Sequence, residues 1–284
     1  MRRSDFRSRI AAASDYAMIR KLCVRAVGPE DYVLGILKDV IERGRLFLVF
    51  SKGNELIGMS NFTPVFDKSG WLGMARTDPE WRGLGVAQFL QKKSASFARE
   101  RGIRKLRFFV VSTNSASLRA AVKGGFKVVA EATHVSFKTN KISQSTVNTE
   151  IKEDEENGSG ILDYDSTSDS TYLRRMNGYI GYGYAFVKGN KRNLAQIRKR
   201  GEMHSFPDGT FVFTQPEARR GEFSIITGTT TESLTKILHI SKGLKVSSVG
   251  GFIPYDRGII NSAEKIGFHP DTWGRHLIVF EKKI

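Results

Sequence analysis

The residues best equipped for chemistry stand together in DPEWRGLGVAQFLQKKSASFARERG, Asp78 to Gly102. A helix start ordinarily carries Ser, Thr, Asp or Asn, whose side-chain oxygens satisfy the free N–H groups of the first turn. Here Arg82-Gly83-Leu84-Gly85 precedes the helical run and supplies no such oxygen. Bare amides at the positive end of a helix dipole form an anion site, and phosphate or pyrophosphate is its natural occupant. Gly83 and Gly85 let a ligand approach the backbone, and Arg82 adds charge. Two other phosphate motifs are excluded. A dinucleotide-binding glycine fingerprint read from Gly83 needs glycine where Gln88 stands, and no Gly-Lys-Ser/Thr opens the helix.

Such a turn works only if strands and helices hold it. Apolar periodicity predicts helices over Ala17–Val27 and Val33–Arg43, then two strands within RLFLVFSKGNELIGMSNFTPVF around a turn at Lys52-Gly53-Asn54. GWLGMAR, Gly70–Arg76, reads as a strand. Leu84–Arg101 reads as an amphipathic helix with Val86, Phe89, Leu90 and Phe97 on its apolar stripe and Gly102 as its stop. A strand at Arg104–Val111, a helix from Asn114 to Gly124-Gly125 and one or two strands over Phe126–Phe137 follow. This order makes a mixed α/β sheet.

Composition breaks once, between Lys141 and Ser170, where Ser, Thr, Asp and Glu dominate and Glu153-Asp154-Glu155-Glu156 forms an acidic run. Such a segment reads as a linker, and divides the chain into 1–140, 141–170 and 171–284. The last part repeats the earlier order. A strand is expected at Glu222–Thr227, a helix at Thr231–Lys242 with Gly243 as its stop, a strand at Leu244–Phe252 and a closing strand in TWGRHLIVFEKK. NSAEKIGF, Asn261–Phe268, ends like NSASLRAAVKGGF, Asn114–Phe126. Arg198-Lys199-Arg200 reads as a solvated loop or, failing that, as an extension of a polyanion-binding face.

With 284 residues, 40% of them hydrophobic, the chain has material for one large or two ordinary domains. Its one cysteine, Cys23, excludes an internal disulfide framework and a Cys-rich zinc site, and fits a reducing cytoplasm. The basic start lacks an apolar core, and no window is long enough to span a bilayer, so a soluble cytoplasmic protein without a signal peptide or membrane partner is expected. The five histidines show no ligand spacing, and no metal is expected. The net charge of +16 suits a polyanionic partner. No helix-turn-helix, zinc-finger or RNP-type aromatic motif accompanies it, so nucleic acid is not the favoured partner.

Together, DPEWRGLGVAQFL (Asp78–Leu90) and NSASLRAAVKGGF (Asn114–Phe126) resemble the GNAT superfamily of N-acetyltransferases, over about Ala17–Phe137. The first carries that family's (Arg/Gln)-x-x-Gly-x-(Gly/Ala) pattern on Arg82, Gly85 and Ala87; the second is its Asn-to-Gly-Phe segment. The resemblance implies a GNAT-like α/β fold, with the last part a second, degenerate acetyltransferase-like domain. It implies acetyl-CoA as co-substrate. The amides of Arg82, Gly83, Leu84, Gly85, Val86 and Ala87 would take the pyrophosphate. Met74, Ala75, Arg76 and Thr77 would pair with the pantetheine arm, and Asn114 would sit near the cofactor. The implied reaction is direct attack of a neutral amine on the thioester in a ternary complex, with backbone amides steadying the oxyanion. No acyl-enzyme is needed, which leaves Cys23 as a packing residue. GWLGMARTDPEWRGLGVA also resembles a subgroup in which some members acetylate free amino acids. A small-molecule or peptide amine is therefore the expected acceptor, with the protein a monomer or homodimer.

The sequence departs from the family in its acid–base groups. The tyrosine many members keep four residues before the Gly of Gly-Phe is Ala121 here, and GWLGMAR carries no carboxylate. The remaining candidates are Asp67 before that strand, Glu131 and His134 after Gly-Phe, and Ser112 and Thr113, which could relay a proton through water. Arg76 reads either as a contact for an acidic acceptor or as an ion-pair arginine. The competing reading is a non-catalytic CoA-binding module with a basic surface for nucleic acid or ribosome.

Overall fold

The computed structural model describes residues 6–139, 170–217 and 219–284. The expected linker, 141–170, lies outside the described residues except for Ser170. The chain forms two compact units. The first gathers the described residues up to Phe108 with Ser115–Lys127 and Glu281–Ile284. The second gathers Phe109–Asn114 and the described residues from Val128 to Phe280.

The first unit holds β1 (Arg7–Ile10), α1 (Tyr16–Ala26), α2 (Val33–Glu42), β2 (Leu46–Phe50), β3 (Leu56–Val65), β4 (Ser69–Thr77), α3 (Val86–Arg99), the start of β5 (Lys105–Val111) and α4 (Ser115–Lys123). Its strands run in the order β1-β2-β3-β4-β5, antiparallel except for the parallel β4–β5 pair. β2 reads LFLVF and is buried at every position, as a continuous apolar run with both faces covered should be. On one core, α1 and α2 bury Ile19, Leu22, Leu37 and Val40 with Leu46, Leu48 and Met59. Each such aliphatic side chain contributes roughly 1.5–3 kcal/mol by leaving water. α3 places Phe97 edge-on to Phe47 and Phe62, with ring centres 5.1 and 5.3 Å away. Gly58 on β3 allows this approach, because a Cβ there would lie 2.5 Å from Val86 Cγ1.

One buried charge cluster anchors β4 to β5. Arg107 is 1% exposed and donates to Asp67 Oδ2 (2.6 Å), Ser69 Oγ (3.0 Å) and Glu281 Oε2 (2.7 Å). Burial works against its charge, yet the two carboxylates outweigh that cost and raise its pKa.

The second unit holds most of β6 (Lys127–Lys138), α5 (Thr171–Arg175), β7 (Tyr179–Tyr182), β8 (Ala185–Lys188), α6 (Lys191–Lys199), β9 (Met203–Phe206), β10 (Gly209–Glu217), β11 (Arg220–Thr227), α7 (Thr230–Gly243), β12 (Ser248–Pro254), α8 (Arg257–Lys265), β13 (His269–Pro270) and most of β14 (Leu277–Lys283). Its strands lie in the order β14-β6-β12-β11-β10-β9, with β13 also on β6 and β7–β8 as a separate hairpin. Phe211, Phe223, Ile225, Leu234, Ile237 and Phe268 are central to its core.

Two expectations change here. The strand expected from Leu244 begins only at Ser248, because Leu244 and Lys245 close α7 and Lys245 has a positive φ of 53°. Arg198 and Lys199 are the last turn of α6 and Arg200 its C-cap, not a loop. Cations suit that end of a helix dipole, and the helix hides Leu194 and Ile197 on its buried face.

Candidate functional site

The turn between β4 and α3 is built as its composition requires. Asp78 caps a single 3-10 turn, Pro79–Trp81, by accepting from Glu80 N–H at 3.1 Å. Arg82 is extended, and the backbone then enters the left-handed region at Gly83 (φ 78°) and at Gly85 (φ 93°). Gly85 is the N-cap of α3, and no side chain caps the helix. The first helical bond runs from Phe89 N–H to Gly85 O, so the N–H groups of Val86, Ala87 and Gln88 precede it. A Cβ on Gly83 would meet nothing within 4 Å, so this glycine serves backbone conformation and leaves open space above the turn. Leu84 is half exposed beside it.

β4 leads into this turn with a disturbed edge. Against β3 it pairs Gly73 with Asn61 and Arg76 with Met59, which places one extra residue on β4. Met74 takes that bulge with φ 55°, a conformation that costs a non-glycine residue energy. The parallel ladder to β5 comprises Ser69–Trp71 with Lys105–Arg107. Among the described residues, β4 therefore continues from Leu72 to Thr77 with a partner on its β3 side and none registered on β5.

Side chains around the turn are tied to α1 and the α1–α2 corner. Arg76 grips Asp31 with both ends of its fork, Nε to Oδ2 at 2.7 Å and Nη2 to Oδ1 at 2.5 Å. The ion pair is the one that the second of its two readings expects. Burial would raise the Asp31 pKa, but Arg76 and the Val33 N–H bring it below the usual carboxylate value. Cys23 lies fully buried beside them, and burial, with the Asp31 charge next, pushes its thiol up to about 11. That suits packing and not nucleophilic chemistry. Arg25 Nε donates to Asp78 Oδ2 at 2.7 Å, and Arg82 Nη2 donates to Ala26 O at 2.7 Å.

The structure gathers Met74, Ala75, Arg76, Thr77, Arg82, Gly83, Leu84, Gly85, Val86 and Ala87 on one stretch of the first unit. Ser112, Thr113 and Asn114 belong to the second unit. There the Ser112 N–H is bonded to His276 O, and the Asn114 N–H to Val111 O. Two acid–base candidates require correction. Asp67 has a side chain only 4% accessible, and it serves as the counter-charge of Arg107. His134 has no exposed surface. Its Nδ1 meets Asp271 Oδ2 at 2.7 Å and its Nε2 meets Glu222 Oε2 at 3.1 Å. Burial disfavours its charged form, yet the two carboxylates prevail and raise its pKa. Both ring nitrogens are thus committed to carboxylates within the second unit. Glu131 is half exposed and pairs with His276 Nε2 at 2.7 Å.

Sequence reasoning missed Arg25, Asp31 and Asp78. Asp78-Pro79 is a readable turn-capping pair; Arg25 and Asp31 carry no local signal, since their partners lie 53 and 45 residues away. Among the described residues, no group of three His, Cys, Asp or Glu could hold a metal ion, and no helix is long and apolar enough to cross a membrane.

The fold is that of solved acetyltransferase structures. A GCN5-related N-acetyltransferase from Sphaerobacter thermophilus aligns over 98% of this chain and 95% of its own, at 13% identity and a TM-score of 0.59. A protein from Thermoplasma acidophilum, assigned as an acetyltransferase, aligns over 98% of this chain and 100% of its own at 16% identity and a TM-score of 0.59. Another so assigned, from Pyrococcus horikoshii, aligns over 100% and 91% at 13% identity and a TM-score of 0.54. No curated protein matches the sequence. Residues 16–126 match the model of the acetyltransferase (GNAT) family. The chain thus carries a GNAT acetyltransferase domain over those residues.

Proposed function

We propose that this chain is an acetyl-CoA-dependent N-acetyltransferase that passes the acetyl group directly to an amine of a small molecule, amino acid or peptide. The carrying observation is the start of α3: a helix capped by a left-handed glycine, with no side chain on its first amides and open space over Gly83. The residues present fit a pyrophosphate. The N–H groups of Val86, Ala87 and Gln88 would donate to it, helped by the helix dipole. Along β4, the backbone of Met74–Thr77 would hold the pantetheine arm as an added strand. Acetyl-CoA brings an activated thioester. The backbone at the Met74 bulge would hold its carbonyl oxygen as charge develops there.

Positioning supplies much of such a reaction, which suits a chain whose Asp67 and His134 are committed elsewhere. Ser112 and Thr113 remain the proposed proton relay, and residues 171–284 a second, degenerate acetyltransferase-like domain. The location proposed is the cytoplasm. The same loss of side-chain acids and bases, with Ala121 buried at the usual tyrosine position, supports a second reading. In it the chain binds CoA without catalysis and uses a basic surface such as α6, where Lys191, Arg192, Arg198 and Lys199 are exposed, for nucleic acid or ribosome.

The test is calorimetric titration of acetyl-CoA into wild type and Gly85→Glu. Micromolar binding to wild type, within the usual range for such substrates, that the variant loses supports the donor site. Equal or absent binding in both overturns it. A screen of amines with the binding-competent protein then separates the two readings.

A further inference from the structure

The last turn of α1 holds the phosphate loop on both sides. Arg25 and Ala26 are consecutive residues at its C-terminal end. Arg25 takes Asp78, the residue before the 3-10 turn, and the Ala26 carbonyl takes Arg82, the residue after it. Asp78 is fully committed. Its Oδ2 receives Arg25, its Oδ1 receives the Glu80 N–H, its own N–H goes to Ile57 O at 3.0 Å, and its carbonyl receives Trp81 N–H at 2.9 Å. Its side chain is 4% exposed, whereas that of Arg25 is 46% exposed. Both arginines also sit at the negative end of the α1 dipole, where cations are favoured.

Beyond this clamp the backbone passes through two left-handed glycines before α3 begins. Glycines give the turn freedom that only outside contacts remove. We propose that Arg25 and Arg82 are positioning residues for the acyl-donor site: α1 sets the tilt and spacing of the amide cradle, and Arg82 acts through Ala26 and not as a phosphate contact. The assignment rests on the donor-site reading above. Its physical basis is preorganisation, since a cradle held in its bound geometry spends less binding energy on ordering.

The experiment is titration of acetyl-CoA into wild type, Arg25→Met, Arg25→Lys and the double variant Arg25→Met/Asp78→Ser, with the melting temperature of each. The double variant removes the ion pair without stranding a buried carboxylate, and serine keeps a capping oxygen. Arg25→Met and the double variant should each bind about tenfold more weakly, and Arg25→Lys should stay within about threefold of wild type. The double variant's melting temperature should stay within a few degrees of wild type. Wild-type affinity in the double variant overturns the clamp, as does an Arg25→Lys variant as weak as Arg25→Met. Absence of binding by wild type itself marks the failure of the donor-site reading instead.

Discussion

In each unit a buried basic side chain lies between two carboxylates, and the chemistry of that side chain separates the two clusters. In the first unit Arg107 lies between Asp67 and Glu281; in the second His134 lies between Asp271 and Glu222. Both side chains are almost wholly inaccessible, and both have raised pKa values because the carboxylates outweigh burial. The guanidinium stays charged at every pH a protein meets, whereas imidazole titrates within it. One unit is therefore pinned by a permanent charge and the other by a conditional one. Each cluster has its own work. Arg107 closes the paired end of β4 and β5. His134 ties Asp271 and the loop around Gly274 to β6, with the His134 N–H on Gly274 O and the Asp271 N–H on His134 O. Its ring is packed against Trp273 and Phe252.

The largest break should come from Arg107→Met, which strands two buried carboxylates. A loss of about 3–5 kcal/mol in urea unfolding is expected at neutral pH. A loss under 1 kcal/mol would show that Asp67 and Glu281 readily find water.

Next is the pH dependence. A folded pKa raised above the ordinary 6.5 means that the His134 contribution is complete below that value and fades as pH rises through the raised folded pKa. Asp271, lowered from 3.8, adds stability above that value which is lost only as pH falls through its lower folded pKa. Hydrogen exchange in β6 and β12 should therefore be slowest between roughly pH 4 and 6.5 and quicken above it, after correction for intrinsic rates, while β2 and β3 show no such trend. His134→Gln should flatten the difference. An equal trend in both units would end the comparison.

A smaller effect is expected from Arg220→Gln. Arg220 Nε shares Glu222 with His134, donating to Oε1 at 2.8 Å. Removing that cation should move the His134 titration to higher pH and cost about 1 kcal/mol, read by the same exchange profile. A shift to lower pH would mean that Arg220 serves Glu222 by orientation alone. The smallest belongs to Lys105→Met. Lys105 stands 3.8 Å from Glu281 with its side chain 37% exposed, and exposed pairs contribute about 0–1 kcal/mol. No resolvable change in the urea midpoint is expected; a large one would place Lys105 inside the Arg107 cluster.

The legible parts of the molecule were those written in local pattern. α1, α2, β2, β3, β4, α3 and β5 each fall within a few residues of their apolar periodicity, and the bare cap at Gly85 was visible because capping depends on neighbours in sequence. The Met74 bulge was not, since it arises from register with β3. β7, β8 and β9 are four residues each, too short for alternation to register. α6 was obscured because Arg198-Lys199-Arg200 draws attention to charge while only Leu194 and Ile197 mark its apolar side among the hydrophobic positions. The roles of Asp67 and His134 could not be read, because their charged partners lie 40, 88 and 137 residues away. Both carry the residue types of a base, and only tertiary contact spends them as counter-charges.

Cys23 has a consequence beyond packing. It is the chain's one thiol, it is fully buried in the first unit's core, and its pKa near 11 keeps it protonated at neutral pH. A thiol reagent reaches it only when the packing around α1 opens. The same helix ends in Arg25 and Ala26, so its lifting also frees the turn before α3. The rate of modification in native buffer is therefore a stopwatch for an opening of the first unit's core, and slowing it with a ligand would report how firmly that ligand holds that core shut.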